Sequence, residues 1–276
     1  MLLAIDVGNT NTVLGLFDEA GVRVADWRLT THRAQTVDEY GVLFRNLFSL
    51  RQIEASSVTA IIVSSVVPPL DSNLKGMCER YFGQKPLFVE PGVKTGLSIH
   101  TDNPAEVGAD RIVNCVAAFQ KYGGPCIVVD LGTATTFDVV SKKGDFIGGA
   151  IAPGLGISAD ALFSRAARLM RVDIRRPTKM IGTNTVEHLQ IGLYYGYIGL
   201  IDGILQRMLH ELGAEARVIA TGGLASQLAQ DSKYISVVDD WLTLEGLLLV
   251  HQRNAESKRA QRPRQNTRKP LNPHKN

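Results

Sequence analysis

The sequence predicts an α/β fold of two duplicated lobes with a cleft between them. Three features predict it: apolar runs of strand length that end in Asp-x-Gly turns, amphipathic helices between those runs, and a ten-residue stretch that occurs twice. Ala4-Ile5-Asp6-Val7-Gly8-Asn9-Thr10-Asn11-Thr12-Val13 lies without gaps over Val128-Val129-Asp130-Leu131-Gly132-Thr133-Ala134-Thr135-Thr136-Phe137. One such match is weak. Two, each opening a similar order of strands, point to an internal duplication.

The elements follow in order. Leu2–Asp6 and Thr12–Phe17 are apolar runs joined by a tight Gly/Asn/Thr turn, and Val22–Thr30 is a third strand. Val37–Leu50 carries Tyr40, Leu43, Phe44, Leu47 and Leu50 at helical spacing. Ala60–Val63 reads as a short buried strand, and Pro68–Phe82 as a helix opened by proline. Pro104 stands where a first-turn proline would follow Asn103 as N-cap, ahead of a helix through Ile112, Val116 and Phe119. The second half restarts with strands at Cys126–Asp130, Thr135–Ser141 and Phe146–Ile151. Helices are expected near Ile157–Leu169 and over Thr185–Leu212, a strand at Arg217–Ala220, and a closing helix at Trp241–Val250. This divides the chain into lobes at 1–121 and 122–250.

Residues 251–276 read as a basic tail. From Gln252 onward there are eight Lys/Arg against Glu256, a net +7 that leaves −4 of the chain's +3 for the rest. With three prolines and Leu271 as its one large apolar residue, this stretch lacks the means to offset its ordering entropy, so disorder is expected. The body gives no reason to expect a specific nucleic-acid partner. No stretch approaches the roughly 20 apolar residues of a membrane span. The apolar start stops at Asp6, too early for a signal sequence, so a cytoplasmic location is expected. Cys78, Cys115 and Cys126 have no metal-type spacing and are expected to be reduced and buried. The six histidines show no metal-ligand pattern either.

A strand that ends in Asp-x-Gly and turns sharply exposes backbone N–H groups, a concavity suited to phosphate oxygens. Asn9, Thr10, Asn11 and Thr12 add side-chain donors, and Asp6 could hold Mg²⁺ directly or through water. A lone loop of this kind is equally a hairpin whose Asn and Thr satisfy the turn. The partner loop at Asp130–Thr136 favours phosphate binding. Thr221-Gly222-Gly223 is a third strand-to-glycine turn, where a base or ribose could approach the backbone. Neither a Walker P-loop nor a Gly-x-Gly-x-x-Gly run occurs.

The paired loops resemble the phosphate-binding hairpins of the sugar-kinase, actin and heat-shock-chaperone ATPases. Within that group the chain resembles the type III pantothenate kinases. The resemblance is carried by Asp6–Thr12, Gly108-Ala109-Asp110-Arg111, Asp130–Thr136 and Gly149-Ala150-Ile151-Ala152-Pro153-Gly154, and it covers residues 1 to about 250. It implies two ribonuclease-H-like lobes with a nucleotide cleft between them. The implied reaction is ATP-dependent phosphorylation of pantothenate to 4′-phosphopantothenate, which opens coenzyme A synthesis. Matching positions would assign Asp6, Val7, Gly8, Asn9, Thr10, Asn11, Thr12, Val13 and Thr133 to ATP. Gly108, Ala109, Asp110, Arg111 and Thr185 would go to pantothenate, with Asp110 as proton acceptor. Asp130 would help hold K⁺ or NH₄⁺, needed besides Mg²⁺. The resemblance also implies a homodimer with the substrate pocket near the subunit interface. Thr101 departs from the family's pattern, in which many members have a tyrosine lining that pocket.

Read as residues alone, Asp110 could instead cap the helix near Ile112 or pair with Arg111. Arg111 could hold the pantothenate carboxylate in a bidentate pair, or form a surface salt bridge. Tyr194, Tyr195 and Tyr197 read as packing residues. Two other functions compete: another small-molecule kinase of the superfamily, and a non-enzymatic regulatory relative. Acidic residues at 6, 110 and 130 favour the enzyme.

Overall fold

The computed structural model describes residues 1–261, with side chains as far as Ser257. The first half forms an antiparallel meander of β1 (Leu2–Val7), β2 (Asn11–Phe17) and β3 (Arg23–Thr30). After α1 (Val37–Leu50), β4 (Ala60–Ser65) returns parallel to β1; after α2 (Pro68–Phe82), β5 (Leu87–Phe88) lies parallel to β4. The first sheet therefore runs β3-β2-β1-β4-β5.

The second half repeats the plan. β7 (Cys126–Leu131), β8 (Ala134–Val140) and β9 (Asp145–Pro153) form the meander, and β10 (Arg217–Thr221) and β11 (Val237–Val238) add parallel strands beside β7. The order β11-β10-β7-β8-β9 mirrors the first sheet, and β6 (Ser98–Ile99) adds an edge strand next to β9. The duplicated α/β architecture is confirmed.

The repeat is not free of gaps. Val7 pairs with Thr12 across four loop residues, whereas Leu131 pairs with Thr135 across three. Thr12 therefore corresponds by register to Thr135, both of them buried, and not to Thr136. The ungapped sequence alignment conceals a turn that is one residue shorter in the second copy.

Helices fill three layers. α1 and α2 cover the outer face of the first sheet with Tyr40, Phe44, Phe48, Leu70, Leu74 and Met77. α5 (Thr185–Leu212) covers the outer face of the second sheet with Tyr194, Tyr197, Ile198, Ile201 and Leu205. α3 (Ala109–Tyr122) and α7 (Leu242–Gln261), which follows the one-turn α6 (Ala225–Leu228), lie between the sheets, joining Leu2, Ala4 and Ile62 to Cys126, Val128 and Ile219 in one core. Both sheets thus bury both faces, which is why their central strands read as continuous apolar runs.

Local chemistry sets the ends of the helices. Thr36 and Glu39 form a reciprocal capping box on α1, α2 begins on proline and ends on left-handed Gly83, and Asn184 caps α5. These three helices occupy the spans expected from sequence. Others differ. Asn103 caps only a single 3₁₀ turn, Pro104–Glu106, and α3 starts later, behind Gly108. α4 covers Leu155–Arg165 and stops short of Leu169. The segment after it is held by side chains, with Arg176 donating to both oxygens of Asp231 and Gln190 to Asp173 O.

The last helix runs past Val250 to Gln261, so the tail does not begin at 251. Polar ties fix the extension. Asn254 donates to Lys94 O at 2.9 Å and accepts from Lys94 N, and Arg253 donates to Thr95 O. Residues 262–276, the rest of the expected tail, lie outside the described residues. Two crossovers also blur the division at 121/122, because α7 packs on β1 and β4 while β6 joins the second sheet. No helix among the described residues is long and apolar enough to cross a membrane.

Candidate active site

Strand alternation builds the cleft. In β1, Leu3, Ile5 and Val7 enter the outer core, so Leu2, Ala4 and Asp6 face the other lobe. In β7, Ile127, Val129 and Leu131 face outward, leaving Cys126, Val128 and Asp130 on the inner side. Both aspartates sit at the carboxyl ends of their strands, where the interlayer helices give way to open space. Asp110 comes from the first turn of α3, between the sheets. The three carboxylates line one cavity of about 200 Å³, together with Gly8, Asn9, Thr10, Asn11, Gly132, Thr133 and the Thr221-Gly222-Gly223 turn.

The two hairpin loops meet. Thr10 Oγ1 lies 2.6 Å from Thr133 Oγ1. The first loop is braced from behind, as Thr31 donates to Gly8 O and Arg33 to Asn9 Oδ1. The second is braced by Gly154, whose N–H donates to Thr133 O, and a Cβ there would collide with that carbonyl. Gly222, at φ +93°, stands so close that a Cβ would strike Asp130 Oδ1, so the third turn packs on the carboxylate itself.

Crowding shapes the electrostatics. Burial, reinforced by the Asp110 charge, pushes the Asp6 carboxyl up to about 8, with Ser64 and Arg28 partly offsetting it. Burial and Asp110 likewise raise Asp130 to about 7, against the hydrogen bond that Asn114 Nδ2 donates to it at 3.0 Å. Asp110 is raised by burial, opposed by the Arg111 backbone N–H on its Oδ1. Several acids held out of water around one space favour a bound cation.

The donors fit hard cations. Asp6 and Asp130 offer carboxylate oxygens, and Asn114 Oδ1 is buried without a hydrogen-bond partner. No group of three or more His, Cys, Asp or Glu among the described residues is placed to hold a metal alone. The two carboxylates of Asp6 and Asp130 suit Mg²⁺, which is commonly bound through one or two carboxylates plus substrate phosphates.

The expected site residues divide. Asp6, Gly8, Asn9, Thr10, Asn11, Val13, Asp110, Asp130 and Thr133 line the cleft. Val7 and Thr12 do not. Val7 is buried in the outer core, and Thr12 is buried with its hydroxyl 2.9 Å from Thr31. Thr101, Gly108, Ala109, Arg111 and Thr185 also lie outside the lining. Thr101 Oγ1 is buried without a partner, and Thr185 is exposed at the start of α5. Gly108 is the N-cap of α3, so Asp110 is not the cap. Arg111 is neither free nor in a surface pair: it clamps the fully buried Asp138. Tyr194 and Tyr197 are packing residues, Tyr194 donating to Asp231 and Tyr197 meeting Thr135. All three cysteines are buried and free.

Sequence reasoning missed Arg28, Asp240 and Thr243, which also line the cleft. Arg28 carries no local signal and reaches the cleft by its register opposite Val13 across β2 and β3.

The family profile described as type III pantothenate kinase matches residues 2–207. The chain belongs to that family. It is 61% identical over 268 residues to the type III pantothenate kinase of Koribacter versatilis, covering 94% of this chain and 98% of that one. It is 57% identical to the enzyme of the same name from Myxococcus xanthus, covering 93% and 100%. In fold it is similar to an activator of 2-hydroxyisocaproyl-CoA dehydratase from Clostridium difficile solved with ADPNP (TM-score 0.56, 10% identity, 94% and 97% covered). It is similar too to a ROK family glucokinase from Streptomyces griseus solved with glucose and AMPPNP (TM-score 0.53, 10% identity, 92% and 99% covered). Both likenesses are of fold, over nearly the whole of each chain.

Proposed function

We infer that the protein is an ATP-dependent pantothenate kinase that phosphorylates the pantothenate 4′-hydroxyl, with Asp110 as general base. The observation that carries this is Asp110 facing two phosphate-type loops in one cleft of a chain that matches the family nearly end to end. Phosphoryl transfer asks a protein for positioning, charge neutralisation and a carboxylate to take the nucleophile's proton. The chain supplies all three. Backbone N–H groups and the Asn and Thr side chains of both loops receive phosphate oxygens, and the Thr221–Gly223 turn admits the nucleoside. Asp110 Oδ1 accepts the Arg111 N–H at 2.8 Å, leaving Oδ2 for the substrate proton. A carboxyl whose pKa is raised toward the working pH is the stronger base.

Asp6 would hold Mg²⁺ and Asp130 a monovalent cation, K⁺ or NH₄⁺. Bound Mg²⁺ supplies neutralisation of the phosphate charge. The substrate set is ATP and pantothenate, in the cytoplasm. We take the working form to be a homodimer. Exposed Ile147, Ile151, Ile157, Leu162, Met180 and Ile181 lie on β9, α4 and the loop before α5, close in sequence to exposed Thr185. A second copy there would bring Thr185 to the pantothenate pocket, as the family resemblance implies.

The test is direct. Purified protein with ATP, Mg²⁺ and K⁺ is assayed on pantothenate, with acetate and sugars as competing acceptors. Preferential turnover of a sugar or acetate would remove the assignment.

A further inference from the structure

A charge is buried where the pattern asks for an apolar residue. On β8, Phe137 and Val139 face the outer core, while Thr136, Asp138 and Val140 face α3. Asp138 is 0% exposed. Both its oxygens are satisfied: Oδ1 takes Arg111 Nε at 2.8 Å and Nη2 at 2.5 Å, and Oδ2 takes the Thr136 hydroxyl at 3.0 Å. The guanidinium also stands over the Phe146 ring, 5.4 Å from its centre.

Stability alone gives a weak reason for such a pair, since apolar replacements of buried ion pairs are often neutral or stabilising. Its position gives a better one. Arg111 follows Asp110 in the first turn of α3, and its backbone N–H holds Asp110 Oδ1. Thr136 lines the cleft from β8. One carboxylate therefore ties the turn that carries the base to a strand that forms the cleft wall. Two guanidinium N–H groups converge on Oδ1, a charge-assisted contact that holds the turn close to the strand.

We propose that Asp138 is a positioning residue for phosphoryl transfer, acting through Arg111 to aim the Asp110 carboxylate. This rests on the kinase reading above, with Asp110 as base. Asp138 touches no substrate. It sets the rotation of the first turn of α3, and a misplacement of about 1 Å at a catalytic group can cost about 10²-fold.

The experiment compares wild type, Asp138→Asn, Arg111→Gln and the double variant. Asp138→Asn should lower kcat by up to about 10²-fold while KM for ATP stays near the wild-type value. Because the two residues act as one unit, the double variant should be no worse than the poorer single. Amide hydrogen exchange at residues 109–112 should quicken in Asp138→Asn while the rest of α3 keeps its protection. If Asp138→Asn alone does not fold, the double variant, which leaves no buried charge unpaired, replaces it in the exchange comparison with wild type. Wild-type kcat in Asp138→Asn, losses that multiply in the double variant, or unchanged exchange at 109–112 would each overturn the proposal. A wild type inactive on pantothenate defeats the substrate reading instead, and the exchange comparison still decides the role of Asp138.

Discussion

Asp110 is the residue on which the chemistry turns. Asp110→Asn keeps size and most hydrogen bonding but removes the basic carboxylate, so kcat should fall by about 10²–10⁴-fold with the circular dichroism spectrum unchanged. Asp6 and Asp130 should fail differently: Asp6→Asn in its Mg²⁺ dependence, Asp130→Asn in its activation by K⁺. Metal titrations on both variants check this, and wild-type dependence in both would dismiss the division of roles. The two acids also predict a pH effect. Their folded pKa values, about 8 and about 7, lie above the ordinary aspartate value, so the native state holds protons that the unfolded state releases. Their contribution to stability is full below about pH 4 and is lost as pH rises through 7 to 8. Without metal ions, thermal midpoints should decline over that window, and Asp6→Asn should flatten the decline. An identical slope in Asp6→Asn would remove Asp6 as its source. The carboxylates were legible because each ends or begins a recognisable run. Arg28 and Asp240 were not, because strand register and a late connection bring them to the cleft. The partner of Arg111 was hidden for the same reason, lying 27 residues away on another element.

At the scale of elements, hydrophobic period located what packing decides and missed what polar pairing decides. α1, α2 and α5 follow their apolar stripes, and their caps are written beside them. α7 continues past Val250 through Arg253, Asn254 and Ser257, whose partners Lys94 and Thr95 lie about 160 residues earlier. No local pattern announces such a contact. The shorter second turn was equally hidden, since composition matches across it and only register reveals the missing residue. A chain ended after Arg253 should therefore be less stable, because it loses the Asn254 bonds to Lys94 and Val250, worth about 1 kcal/mol each at most. A chain ended after Gln261 keeps those bonds and every cleft residue, and should retain full turnover. Denaturant melts of the two truncations separate these outcomes, and equal midpoints would show that the clip contributes nothing.

For the whole molecule, two sheets of one topology face each other across α3 and α7, and the strand ends on the inner faces supply the acids. Duplication makes the cleft, because the same Asp-x-Gly turn arrives from both sides and the loops touch at Thr10 and Thr133. The proposed dimer should appear as twice the chain mass in light scattering. Ile151→Asp and Ile181→Asp together should shift it toward monomer and lower pantothenate turnover with it. The central claim is that this cleft transfers phosphate from ATP to pantothenate through Asp110. The measurement that tests it most directly is phosphopantothenate formation by purified wild type and Asp110→Asn, side by side, with saturating Mg·ATP and K⁺. The account predicts steady product from wild type and a loss of at least about 10²-fold in the variant. Equal rates from the two proteins, or no product from wild type, would contradict it.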